Sequence, residues 1–394
     1  MSDPNEKPLT PPKPTPESII ADEAPVNSVE AMPNAPKTSS WLGLHRKAVL
    51  ITTSVVVVIF ASGAFAWSHL RSKPSPVATV ATPSPTPTPS PSPTTKLSPL
   101  TGLPVALSLA NRPITGVVIE NHPDARPQSG LQDAGVVYEA NAEGGITRFE
   151  AFFLDNLPTV LGPVRSVRTY FVDWALEFNA PLAHAGGNAD ALDLIKPLGM
   201  KDMNALSFAA EAFYRDNRRN VASEHTLYTS TAKLDALESR LGYAQPSSFT
   251  ASPRKADTPS ASPPHPNVHI NFSYTGYQVD YTYDPTTNDY ARNLAGTPHI
   301  DNNTGKQIHV KNIVIEMMPT SYGTTRLGES TVIMQTVGKG QGWVLSDGNA
   351  TAVTWSKDSH AARTKLLDAS SKDLPLDAGN TWYEIVPVGN TVSF

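Results

Sequence analysis

The stretch GGITRFEAFFLDNLPTVLGPVRSVR, Gly144 to Arg168, sets Arg148, Arg165 and Arg168 among apolar runs, with Glu139 and Glu143 just ahead of it. A guanidinium is planar, always charged and forked, so it suits bidentate pairing with carboxylate or phosphate. Between Asn111 and Asn220 the chain has eight arginines and two lysines, whereas elsewhere it has 14 lysines and seven arginines. Two chemistries fit this bias. One is an internal arginine–carboxylate network that holds the fold. The other is a cleft for an anionic or sugar-phosphate ligand.

Local structure decides where these side chains point. Gly144-Gly145 between two strand-like runs signals a two-residue hairpin. That register sets Glu143 opposite Ile146, Asn141 opposite Arg148 and Glu139 opposite Glu150. Tyr138, Ala140, Ala142, Phe149, Ala151 and Phe153 then share the core face, and Arg148 lies diagonal to Glu139 and Glu143 on the other. Arg148 is therefore expected to be structural. Arg165 and Arg168 follow the Gly162-Pro163 break, where a helical turn would bring both to one side, free for ligand.

Other chemistries find less support. The chain has no G-x-S-x-G, H-E-x-x-H, Walker or EF-hand pattern. Gly186-Gly187 ahead of a helix starting near Asn188 offers backbone N–H groups to an anion, or is simply a tight turn. His122, His184 and His225, with Glu120 or Glu224, lack metal-ligand spacing, so no metal and no cofactor is expected. Ser166 has no identifiable base. Glu139 and Glu143 as a glycosidase pair conflict with their expected pairing to Arg148.

The elements that must position these residues occupy only part of the 394-residue chain. Residues 1–45 are poor in large apolar side chains and read as a disordered cytoplasmic tail. Ala48 to Trp67 holds 20 residues without a charge and reads as a single transmembrane helix, with Arg46 and Lys47 favouring a cytoplasmic N-terminus. Its length and the long segment ahead of it argue against a cleaved signal peptide. Residues 68–98 are a Pro/Ser/Thr-rich linker of polyproline-II character. Residues 99–245 predict an α/β or α+β domain with a central sheet, with helices over TYFVDWALEF, NADALDLIKPLG and STAKLDALESRLG. Residues 246–267 are a Pro/Ser-rich linker or loop, and 268–394 predict a mostly β domain. There is no cysteine, which excludes disulfides and thiolate chemistry, and the net charge of −5 without a basic run gives no sign of a nucleic-acid partner.

ENHPDARPQSGLQDAGVVYEANAEGGITRFEAFF, GPVRSVRTYFVDWALEFNAPLAHAGGN and FYRDNRRNVASEHTLYTS resemble the N-terminal domain of the YerB-like family of bacterial lipoproteins. YDPTTNDYAR, KNIVIEM and LDAGNTWYEIVPV resemble its C-terminal domain. The resemblance covers nearly all of 100–394. It implies an extracytoplasmic, membrane-attached protein whose chemistry is unassigned. It marks Asn121, Arg126, Pro127, Gln128, Glu139, Glu143, Arg148, Arg165, Arg168, Gly186, Arg215 and His225, to which His184 is added as a further ligand-binding candidate. Two departures stand out: a membrane span in place of a lipidated cysteine, and Glu224-His225-Thr226 where Pro-His-Asn is more usual. The expected function is a non-enzymatic binding or scaffold module, its partner an anionic cell-wall or envelope component or an envelope protein. The alternatives are an enzyme acting on phosphorylated or pyrophosphate-linked envelope precursors, and a purely structural interaction protein.

Overall fold

The computed structural model describes residues 93–394. The expected tail, the span Ala48 to Trp67 and most of the linker lie outside the described residues. Among those described, no helix is long and apolar enough to cross a membrane. The fold begins ahead of Pro99: Thr95–Leu97 pairs antiparallel with Pro104–Ala106, and the buried Ser98 hydroxyl donates to Asp155 at 2.5 Å.

A ten-stranded mixed sheet organises the chain. Its order is Lys365–Leu367, Asn349–Lys357, Gly338–Ser346, Asn312–Met318, Thr381–Pro387, Val136–Asn141, Thr147–Phe153, Thr115–Glu120, Leu182–His184 and Asp202–Asn204. The N-terminal and C-terminal halves each supply five of these strands. They join where Thr381–Pro387 runs parallel to Val136–Asn141, with Tyr383 opposite Tyr138 and Glu384 opposite Glu139. All seven residues of Thr381–Pro387 are buried, as expected for a central strand covered on both faces. Trp382 and Val386 pack to one side, Tyr383 and Ile385 to the other.

On the first side a smaller six-stranded sheet, built around Asn267–Asn271, Gln278–Asp284 and Asp289–Leu294, covers the large one. Val268, Ile270, Val279 and Tyr281 meet Ile119, Val137, Phe149 and Ile313 there. On the second side lie the helices Thr169–Glu177 and Ala189–Leu198 and the hairpin Thr320–Thr324/Ser330–Met334. Tyr170, Phe171, Trp174, Ala175 and Phe178 are all buried, as their helical spacing predicts.

The helix ends follow the sequence signals. Asn188 and Ser230 cap the helices Ala189–Leu198 and Thr231–Leu241 through their side chains, and Gly199 and Gly242 end them in the left-handed conformation. The 246–267 segment is stitched into the fold. Arg254–Lys255 adds a short parallel pair with Leu376–Asp377, and the Lys255 ammonium bonds both Asp347 and Asp377.

Candidate functional site

The hairpin at Gly144-Gly145 forms, but not in the two-residue register. Its loop has three residues, Glu143–Gly145, closed by an Ala142 N–H to Ile146 carbonyl bond of 2.7 Å. Both glycines have φ of 72°. The pairs are therefore Asn141 with Thr147, Ala140 with Arg148, Glu139 with Phe149 and Tyr138 with Glu150. A one-residue slip turns one strand's whole side-chain set to the other face. Glu139 and Arg148, expected to pair, point to opposite sides of the sheet.

On the side of the small sheet, Glu139 meets Arg292 instead. Arg292 is fully buried, bonds Glu139 and His299, lies 3.8 Å from Glu384 and stacks its guanidinium 4.6 Å from the Trp382 ring. The Tyr281 hydroxyl bonds Glu384 and accepts from Arg292 Nε at 3.0 Å. His299 accepts from Arg292 through Nδ1, so its Nε2 donates to Gln128 at 2.9 Å. Burial and the Arg292 charge push its pKa well down, which keeps the ring neutral. Gln128 donates in turn to Asn121 Oδ1 at 2.9 Å, and Asn121 donates to Thr147 at 2.7 Å. Arg126 donates to Asn121 Oδ1 at 3.0 Å and to the Gly276 carbonyl at 2.9 Å, over the Tyr277 ring. Burial lowers its pKa. Asn121, Arg126, Gln128 and Glu139 thus belong to a largely satisfied network between the sheets.

The helix side differs. Residues 162–168 run extended rather than helically, through bridges Ile119–Val164 and Val167–Gly187, and the helix starts only at Thr169. Arg165 and Arg168 are not left free. Arg168 makes a bidentate pair with Glu143, at 2.7 and 2.5 Å. That pair outweighs burial, raising the arginine's pKa and lowering the glutamate's. Arg165 Nε donates to Glu120 Oε1 at 2.9 Å. Arg148, expected to be balanced by two carboxylates, makes a direct pair with neither, and Glu143 acts on it only at longer range: it is 4 % exposed, donates Nη1 to the Ser166 carbonyl at 2.7 Å, and its Nε has no hydrogen-bond partner among the described residues. Burial, then repulsion from Arg168, lowers its pKa to about 10.

Glu120 links this cluster to the histidines. Its Oε2 lies 2.9 Å from His225 Nδ1, and the His225 ring stacks on His122 with centroids 4.7 Å apart. His122 and His225 therefore come together, joined by Asp124 from the turn Pro123–Ala125. His184 stands apart: it is buried, with Nδ1 on the Gly186 carbonyl at 2.8 Å and Nε2 on Asp202 at 2.9 Å. Arg215 is exposed and bonds the Ser223 carbonyl. Gly186 N–H donates to Asn204, and the N-terminus of helix Ala189–Leu198 is filled by the protein's own Glu329, 2.9 Å from Ala189 N. Two open clefts, of about 600 and 570 Å³, lie elsewhere. One is lined by Asp155, Asp289, His309 and Lys311, the other by Glu177, Asn179, Phe249 and Arg363. Neither is lined by any of the candidate arginines.

Sequence reasoning missed Arg292 and Asp124. Arg292 occupies the inward phase of an alternating strand, between the buried Tyr290 and Leu294. An arginine in that phase is itself a signal of a buried ion pair. Asp124 carried no comparable mark.

The comparisons agree with this architecture. The N-terminal domain model of the protein of unknown function DUF3048 matches residues 100–244, and its C-terminal domain model matches 268–383. The Bacillus subtilis (strain 168) protein named "Putative lipoprotein YerB" is 32% identical over 294 residues, 74% of this chain and 86% of that protein. The crystal structure of YerB from Bacillus subtilis superposes with a TM-score of 0.67 at 31% identity, covering 76% of this chain and all of that one. The chain belongs to the DUF3048 family and is homologous to YerB.

Proposed function

We propose that this protein is a membrane-attached, extracytoplasmic module of the cell envelope that binds an anionic group at the edge formed by Arg148, Arg165 and Arg168, without catalysing a reaction on it. The envelope location rests on the lipoprotein name of the relative and on the charge-free run Ala48 to Trp67. The observation that carries the binding is the charge of Arg148. Three guanidiniums meet two carboxylates, Glu120 and Glu143, and both carboxylates are taken by Arg165 and Arg168. A buried cation with a spare donor and two cationic neighbours favours an anion, because desolvated charge is costly until it is paired. Arg165 and Arg168 beside it are part-exposed. The chemistry fits a phosphate or carboxylate of an envelope polymer or of a partner protein.

Thermal unfolding of the full-length protein in detergent tests this. Phosphate or sulfate, compared with chloride at equal ionic strength, raises the melting temperature. At 100 times the dissociation constant the gain is about 2.7 kcal/mol. Arg148→Met abolishes the gain. An equal gain in the variant, or none in the wild type, overturns the proposal.

A further inference from the structure

We infer that His122, Asp124 and His225 form a binding site for a divalent transition cation of the zinc class, with Glu120 as the positioning residue behind it. This goes beyond anion binding: it shares the Glu120–Arg165 pair with that reading, but its three ligands are other residues and metal uptake is read separately from anion-dependent stability.

The placement is specific. The strand Thr115–Glu120 ends on Glu120, and the chain turns at once through His122 and the 3-10 turn Pro123–Ala125, which carries Asp124. A second 3-10 turn, Ser223–His225, brings His225 against them. One donor atom from each of His122, Asp124 and His225 lies within 4.8 Å of the others, and no other such group of three occurs among the described residues. The remaining histidine–carboxylate contacts, His184–Asp202, His269–Asp280, His309–Asp289 and His360–Asp173, are pairs.

The support behind His225 resembles that of a metal ligand. A ligating histidine commonly bonds a carboxylate through its other ring nitrogen, which orients the ring and strengthens it as a donor. Here His225 Nδ1 bonds Glu120, and Nε2 makes no protein hydrogen bond among the described residues. Glu120 is nearly fully buried and held by Arg165, so it cannot swing away to ligate in place of the histidine.

The other two ligands can move. A tetrahedral shell at 2.0–2.1 Å puts donor atoms about 3.4 Å apart. His122 and Asp124 are exposed enough to close that gap, and His122 gives up only a 3.2 Å bond from the Asp124 N–H. Two imidazoles and one carboxylate suit zinc, whereas calcium and magnesium require more oxygen ligands. Three protein ligands leave a fourth position for water or an anionic ligand.

The probe is zinc itself. Full-length protein stripped with EDTA is dialysed against zinc in phosphate-free buffer, and bound metal is counted. One equivalent is expected, and cobalt substitution should give visible absorption of a low-coordinate site. Glu120→Gln lowers the affinity about 10–100-fold while the stoichiometry at saturation stays at one. His225→Ala abolishes uptake, though it bares Glu120 and can cost folding. His122→Ala changes an exposed ring, folds, and abolishes uptake as well. No uptake by the wild type, or unchanged uptake by His122→Ala, overturns the site.

Discussion

Arg292 and Arg148 sit on opposite sides of the same ten-stranded sheet, both buried, and their surroundings differ in kind. Arg292 has carboxylates Glu139 and Glu384, the Tyr281 hydroxyl, a neutral histidine and the face of Trp382. Glu139, Tyr281 and Glu384 raise its pKa against the burial that would lower it. Arg148 hydrogen-bonds only a backbone carbonyl, and burial with the neighbouring Arg168 lowers its pKa despite Glu143 and Tyr170. Glu150 follows two residues along on the same face, yet neither of its oxygens has a partner among the described residues. On the Arg292 side the guanidinium is paired, although one oxygen of Glu384 has no hydrogen-bond partner among the described residues. On the other side the Arg148 charge has no carboxylate bonded to it, which is where a ligand would act.

The largest expected effect breaks the Arg292 side. Arg292→Met leaves Glu139 and Glu384 facing each other without a cation. Losing one partner of a buried pair costs ~3–5 kcal/mol. Arg148→Met removes a charge that lacks a carboxylate, and its aliphatic replacement should stay within about 1 kcal/mol of wild type. Urea unfolding midpoints of the two variants compare them directly. Equal losses would mean that the two arginines do the same structural work and that Arg148 holds nothing in reserve.

An intermediate effect comes from the carboxyls of the helix side. Burial, then the Asp173 and Glu177 charges, pushes the Glu150 pKa well up. Burial, then Glu177, raises Glu316 to about 8, with Lys357 opposing. In both cases the folded state keeps a proton that the unfolded chain has lost. Stability attributable to them is therefore full below the ordinary carboxyl range and falls as pH rises above it, for Glu316 through about 8. Glu384, raised by burial and by Glu139, adds to the same slope from the other side. Glu150→Gln with Glu316→Gln should flatten part of that decline and leave stability at pH 4 nearly unchanged. A slope identical to wild type would show that these two carboxyls ionise freely in the fold.

How much of this was legible follows from the range of each signal. Helix ends at Asn188, Gly199, Ser230 and Gly242 rest on contacts within a few residues, and the local pattern predicts them. The hairpin's existence is equally local. Its register is not, since Gly-Gly serves loops of two or three residues and the choice decides every facing. The bidentate partner of Arg168 was in the sequence as Glu143, but an extended rather than helical 162–168 segment brings them together. The seam between halves is the least legible feature. Val136–Asn141 and Thr381–Pro387 are distant in sequence, and alternation shows that each strand is buried without naming its neighbour. The repeated Tyr-Glu of VVYEAN and TWYEIVP aligns across that seam, stacking Tyr138 on Tyr383 at 4.5 Å.

The smallest expected effect tests the loop that assigns the two faces. Gly144 and Gly145 share a φ of 72°, but a methyl group would meet different surroundings at each. At Gly144 it meets nothing within 4 Å, so Gly144→Ala costs only the left-handed backbone, about 1 kcal/mol. At Gly145 it meets the Tyr274 ring at 3.2 Å, beside the 2.5 Å bond from Ser273 to the Gly145 carbonyl, so Gly145→Ala should cost more. Asparagine tolerates the left-handed region, and Gly144→Asn should lose less than half of what Gly144→Ala loses. Urea unfolding of the three variants orders them Gly145→Ala, Gly144→Ala, Gly144→Asn from most to least destabilised. A two-residue turn of type I′ would also demand positive φ at its two central residues, but in that register Gly145 has no reason to differ from Gly144 through Tyr274. Equal costs for the two alanines would therefore count against the three-residue loop, and with it against the placing of Arg148 and Glu139 on opposite faces.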